Sequence, residues 1–292
     1  MTGDHLQRVL LEEANARCVV VRVDEVFREV RERAALPAAV ADLLGEALAV
    51  TALCSSGVKF QGRVSLQLRS GGPLKLLMAD CTDDGGMRGL ARTDEEAGLS
   101  ATGFADLVRG GVLTMTIEPS GRGRTWQGIV PLEGESMREA IENYFAQSEQ
   151  LPTRLLLAVD GKRAAGVLLQ RMPGEGDDEA WERVCHLLAT LGPREMLSLD
   201  AETLLHRLFH EERRRLFPSR PLRFHCPCSR ERVATVLRGL GREELESILA
   251  AEGEIEVHCE FCNQRYAFDE VDVRGLAQGS LPEMPDGGST IH

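Results

Sequence analysis

Four of the eight cysteines stand in two close pairs near one end of the chain: Cys226 and Cys228 in "RFHCPCSRER", Cys259 and Cys262 in "VHCEFCNQRY". The pattern is C-x-C, thirty intervening residues, then C-x-x-C. Two thiol pairs brought together by an intervening fold make a tetrahedral sulfur site, and soft thiolates in that geometry select Zn²⁺ or an iron–sulfur cluster. His225 and His258 each precede the first cysteine of a pair. Adjacent residues on extended chain point apart, so four thiolates already complete the shell without either imidazole, and either histidine, if not a ligand, could act in an outer role. Arg220, Arg223, Arg230 and Arg232 flank the first pair. They either favour the thiolates and offset the net −2 of a Zn(Cys)₄ centre, or form an ordinary solvated basic face. The other cysteines, Cys18, Cys54, Cys81 and Cys185, sit in apolar runs such as "CVVV", where a thiol acts as a small hydrophobe.

The C-x-x-C pair between two strand-like runs resembles a zinc-ribbon knuckle, whereas C-x-C departs from the usual structural-finger spacing of two to four. The surrounding unit has only about fifty residues, a size at which an apolar core is marginal. Structural zinc contributes roughly 10–16 kcal/mol, which appears as folding free energy. Removing the metal should therefore unfold the unit. Oxidation is one way to remove it, because a disulfide sulfur is no longer a thiolate ligand. Cys259 and Cys262 can close an ordinary C-x-x-C bridge, and Cys226 and Cys228 a tighter one. These residues thus permit a redox switch.

The chain that must position them has 292 residues, 43% hydrophobic, and a net charge of −12. That length suggests about two domains. The acidic balance argues mildly against nucleic acid as a partner. No apolar run approaches the roughly 20 residues of a membrane span. The start, "MTGDHLQRVLLEEANAR", lacks the pattern of a signal or transit peptide, which points to the cytoplasm, where thiols stay reduced.

Residues 1–176 read as a largely antiparallel α+β core domain. "RCVVVRVD" is strand-like, and "PAAVADLLGEALAVTALCSSG" reads as a buried helix opened by proline. "GRVSLQLRS" and "PLKLLMADCTD" are strands joined by a Gly-Gly turn, and "GVLTMTIEPSGRGRTWQGIVPL" repeats the hairpin. In "ESMREAIENYFAQSEQ", Met137, Ile141, Tyr144 and Phe145 keep helical spacing. "PGEGDDE" breaks the chain, and residues 177–220 read as a helical linker. There Trp181, Val184, Cys185, Leu188 and Leu191 share one helix face, and Asp200 caps a second helix carrying Leu204, Leu205, Leu208 and Phe209. "RRRLFPSRPLRF" reads as an extended connector. Residues 221–275 form the small zinc-binding domain, with two short helices ended by glycine and a hairpin, and 276–292 a disordered tail. The apolar linker faces should not stay exposed in a packed monomer. They are expected to lie on the sheet rich in Gly-Gly turns.

With these residues in view, the chain resembles the redox-regulated heat-shock chaperonin family of about 33 kDa, over most of its length to about Val273. "CPC" and "CEFC" match the family's zinc motif, and "YFAQSEQLPT", "AAGVLLQRMPG" and "LLHRLFHEE" match its core and linker signatures. The departures are the four further thiols and the tail after Arg274. The resemblance implies an ATP-independent holdase that is inactive when reduced and holding one Zn²⁺. Peroxide with mild unfolding, or hypochlorous acid, would form the disulfides Cys226–Cys228 and Cys259–Cys262. The active form would be a homodimer that binds unfolding client proteins.

Two other readings compete. A zinc-ribbon nucleic-acid-binding protein draws support from Arg213, Arg214, Arg215, Arg220 and Arg223 interleaved with Phe217 and Phe224; the acidic net charge opposes it. An enzyme finds no GxGxxG after a strand, no GxxxxGK[ST], no HExxH and no GxSxG. A thioredoxin-like C-x-x-C would precede a helix in a βαβ unit.

Overall fold

The structure, a computed structural model, describes residues 3–34, 36–57, 61–94, 103–121 and 123–278. They divide into two compact units, Met1–Cys226 and Pro227–His292.

In the first unit β1 (His5–Leu11) and β2 (Ala16–Arg22) form a hairpin, followed by α1 (Asp24–Arg33) and the long α2 (Ala38–Ser55). β3 (Gly62–Arg69), β4 (Leu74–Thr82) and β5 (Gly86–Thr93) meander. After the short α3 (Phe104–Leu107) come β6 (Val112–Pro119), β7 (Trp126–Pro131) and α4 (Met137–Tyr144). That helix runs into one π-helical turn, Phe145–Glu149, before β8 (Thr153–Val159) and β9 (Ala164–Arg171). Then come α5 (Asp178–Ala189), α6 (Pro193–Ser198) and α7 (Ala201–Phe209). Three short strands end the unit: β10 (Arg214–Leu216), β11 (Arg220–Pro221) and β12 (Arg223–Phe224).

Two sheets result. One has the order β10-β1-β2-β9-β8, with β11 also pairing β1; the other has the order β12-β5-β4-β3-β6-β7. Among the described residues all pairings are antiparallel except β12 with β5. The fold is thus the expected α+β class, largely antiparallel.

The apolar pattern of each strand explains what covers it. Along β3, Val64, Leu66 and Leu68 are buried while the residues between them are not. This alternation leaves one face for water. β2 and β9 are apolar at nearly every position, and their residues divide by period two. Val19, Val21, Ala164 and Leu168 join the core around α2. Cys18, Val20, Val167 and Leu169 join a second core with Val184, Leu188, Leu204, Leu205, Leu208 and Phe209 of the helices α5 to α7. The linker helices therefore cover the β1-β2-β9-β8 sheet. The expectation that they lie on the sheet of Gly-Gly hairpins is corrected: that sheet has one apolar face, and α2 occupies it. Asp200 caps α7 as expected, its carboxylate accepting from the Thr203 N–H. The connector is extended, but it is sheet edge and not slack chain. Val9 registers with Leu216 and Leu6 with Arg220.

α2 is long and apolar enough to cross a bilayer by length and composition alone, contrary to the expectation that no run comes near. It is a core helix, 78% buried inside the protein, and packs on strands of both sheets. Burial pushes the Glu46 carboxyl within it up to about 7 from an ordinary 4.5, with Asp42 adding repulsion. The raised value means that Glu46 favours folding fully only below about pH 4.5, and that this contribution is lost as pH rises through 7. Glu46→Gln should match the parent at pH 4. It should gain about 1–3 kcal/mol by pH 8, measured as denaturation midpoints across that range.

The second unit comprises α8 (Arg230–Arg238), α9 (Arg242–Glu252), the hairpin β13 (Ile255–His258) and β14 (Arg265–Phe268), and α10 (Glu270–Gln278). Gly253 ends α9 in the left-handed region, φ 80°, its N–H returned to the Leu249 carbonyl. The returning strand stops at Phe268, and the chain turns into α10 at Glu270. Leu276, at the head of the stretch expected to be disordered, is 3% exposed in the core of this unit. The rest of that stretch, 279–292, lies outside the described residues.

Candidate metal centre

Local chemistry places each thiol. β12 leads directly into the first pair; the His225 N–H donates to the Met87 carbonyl at 2.8 Å. Cys228 precedes the Ser229 cap of α8. Cys259 and Cys262 occupy the loop between β13 and β14. The loop is closed by Asn263, left-handed at φ 58°, whose N–H reaches the Cys259 carbonyl at 2.7 Å. Asparagine tolerates that conformation better than most side chains.

The sulfurs of Cys226, Cys228, Cys259 and Cys262 all lie within 4.8 Å of one another, and Cys228 and Cys262 are 3.3 Å apart. Metal–sulfur bonds of about 2.3 Å imply tetrahedron edges of roughly 3.8 Å, so four thiolates at this spacing fit an ion such as zinc. The sequence named all four residues, and the structure brings all four together. Both histidines point elsewhere. His258 Nε2 is 2.8 Å from Glu256, and the His225 ring packs over Gly86.

Two neighbours escaped the sequence reading. The Tyr266 hydroxyl donates to Cys228 Sγ at 3.1 Å, and this bond is the main reason the phenol holds its proton above its usual range. Arg88, on β5, makes a side-chain hydrogen bond to Cys226 and pairs with Asp80 at 2.8 Å. Nothing in the chain marks Arg88, which stands well over a hundred residues before the first pair. Tyr266 stands four residues beyond Cys262 on the returning strand, which was a usable signal.

The flanking arginines each engage a partner nearby in space. Arg220 donates to the Ser55 hydroxyl and the Asp83 carbonyl, and Arg223 pairs with Asp84. Arg230 bonds the Ala267 carbonyl and Asp272 and lies 4.3 Å over the Phe268 ring. Arg232 bonds the Pro227 carbonyl. These are tethers. The basic–aromatic stretch before them is likewise engaged: Arg213 and Arg215 face Glu12, and Phe217 sits beneath Arg8 and Arg215.

Comparison with known proteins agrees with this geometry. The family model described as Hsp33 protein matches residues 4–269. The chain belongs to the Hsp33 family. Members of this family are chaperonins, not enzymes. Among similar proteins is the "33 kDa chaperonin" of Pseudomonas paraeruginosa, 45% identical over 290 residues, covering 97% of each chain. Another is that of Methylobacillus flagellatus, 43% identical over 278 residues and 94% of each. The crystal structure of the Thermotoga maritima 33 kDa chaperonin superposes with a TM-score of 0.83 at 27% identity, over 94% of this chain and 98% of that one. The Hsp33 assignment implies client proteins as partners.

Proposed function

We propose that this Hsp33 chain is a redox-regulated, ATP-independent holdase that captures unfolding proteins in the cytoplasm under oxidative stress. The observation that carries the reading is the convergence of four thiols within 4.8 Å at the end of a strap that continues the linker helices. Reduced, Cys226, Cys228, Cys259 and Cys262 hold one Zn²⁺, and the zinc-binding domain, residues 221–275, stays folded. Tyr266 steadies the charge on Cys228. Peroxide oxidises each pair in two steps. A thiolate attacks one peroxide oxygen to give a sulfenic acid and water, and its partner thiol then displaces a second water. Two thiols lose two electrons and two protons, and one peroxide becomes two waters. The bridges are Cys226–Cys228 and Cys259–Cys262. The donor set for the metal is then lost. The zinc-binding domain and the linker, residues 177–220, unfold; the core domain, 1–176, exposes its sheet, and the active chains pair as homodimers.

Zinc and thiol counts before and after peroxide, beside an aggregation assay, test the reading. The reduced protein should carry about one zinc, and Cys262→Ser should weaken its hold by orders of magnitude, whereas His225→Ala and His258→Ala should retain it. Zinc loss in either histidine variant would overturn the all-cysteine assignment. An oxidised, zinc-free protein that protects no client would overturn the holdase.

A further inference from the structure

A cavity of about 270 Å³ in the first unit lies apart from the thiol cluster. Val64, Met115, Ile117 and Met172 supply apolar wall, and Trp126 stands beside them. The signature segment after α4 forms another side. Its π-helical turn and the left-handed Gln150, φ 55°, bring Tyr144, Phe145 and Glu149 to the cavity. Such turns are frequent at functional sites.

Two donors in this lining have no acceptor. Arg17 projects from β2, and its Nε is buried without a hydrogen-bond partner. No carboxylate among the described residues pairs with it. Burial lowers the affinity of Arg17 for its proton, with Arg8 adding to the effect and Cys54 and Glu149 opposing it. Tyr144 is fully buried, and its hydroxyl also lacks a partner. Two glycines make room for these tips. A Cβ at Gly57 would lie 2.4 Å from an Arg17 nitrogen, and one at Gly128 2.7 Å from the Tyr144 oxygen. An unpartnered buried polar group is costly, so an acceptor that reached the Arg17 guanidinium would stabilise the fold. Glu149 also lines the cavity, but it is exposed and forms no ion pair with Arg17.

We propose that this cavity binds a small aliphatic carboxylate, its head on the Arg17 guanidinium and its chain against Val64, Met115, Ile117 and Met172. The head must be an acceptor because the Arg17 guanidinium can only donate, and the Tyr144 hydroxyl can donate as well. It must be anionic because the nearest of them is a cation, and the tail must be apolar because the walls are. At roughly 30 Å³ per water-sized atom, the volume suits about nine heavy atoms, close to octanoate. Glu149 acts as a competing anion at the rim.

Octanoate is the probe, titrated below its micelle concentration into the reduced, metal-loaded protein carrying ¹³C-methyl methionine. The Met115 and Met172 signals should shift saturably, and those of the distant Met87 and Met196 should not. Octan-1-ol, which lacks the charge, should bind at least tenfold more weakly. Arg17→Met should lower octanoate affinity at least tenfold, and Glu149→Gln should raise it. Should Arg17→Met fail to fold, the comparison with octanol and the Glu149→Gln variant still decide the matter. Absence of shifts at Met115 and Met172 at millimolar octanoate would overturn the proposal, as would equal binding of acid and alcohol.

Discussion

Chelating the metal from the reduced protein is expected to unfold residues 227–278 while the core domain, residues 1–176, stays folded. Among the described residues the second unit buries seven apolar residues in its core, including Leu237, Leu245, Ile255 and Phe268. A core of that size in about fifty residues is marginal by itself. The thiolate–metal bonds would supply roughly 10–16 kcal/mol, more than most whole domains possess. Hydrogen exchange after chelation should show α8 to α10 losing protection together, with β3, β4 and β6 unchanged. Retained protection in α8 and β13 would mean that the small core suffices, and the metal would then not be the folding switch. The consequence should spread along the chain, because Cys226 lies two residues past the end of β12. Phe224 registers with Met87, and the His225 N–H is held by the Met87 carbonyl. Once Cys226 is no longer held, the end of the strap is fixed by this short ladder, by the Arg220 and Arg223 tethers and by the pairing of β10 and β11 with β1. Local opening is easiest where few contacts remain.

Leu205→Asp combined with Phe209→Asp should give chaperone activity in the reduced, metal-loaded protein. Both side chains are at most 1% exposed and face the β1-β2-β9-β8 sheet. Truncating a buried phenylalanine costs about 3–5 kcal/mol, and a buried charge without a partner adds several more. The loss is far larger than three short helices can absorb, so they should detach and bare Val9, Leu11, Val20, Val167 and Leu169. Suppression of client aggregation without oxidant, at unchanged zinc content, is the expected readout. A fragment ending at Gly176 should behave likewise without any metal. If that fragment is folded yet holds no client, the binding surface lies in the linker or the zinc-binding domain. Gly85 bears on the same switch. It turns at φ 85°, and a Cβ there would meet the Pro221 carbonyl oxygen at 2.2 Å. Only glycine lets the strap lie this close.

Much of this was written into local pattern. The paired cysteines declared a sulfur site, because chelation needs donors whose spacing a tight turn can satisfy, and that spacing is a property of the chain alone. Hairpins, helix faces and the Asp200 cap were legible for the same reason: each depends on neighbours a few residues away. The covering of the first sheet was also legible in principle. "CVVV" and "AAGVLL" are apolar on both faces of a strand, whereas "VSLQL" alternates, and only a two-faced strand can serve two cores. Gly-Gly turns, by contrast, report chain reversal and say nothing about what covers a face. Other features were decided by tertiary structure only. Arg88 reaches Cys226 across 138 positions, and Arg220 reaches Ser55 across 165. The unpartnered Arg17 and Tyr144 share a cavity because β2 and the turn after α4 meet there in space. Periodicity encodes which side of an element is apolar; which distant element arrives on that side is set by the packing of the whole core, where the contacts are non-local and no short stretch of residues carries them.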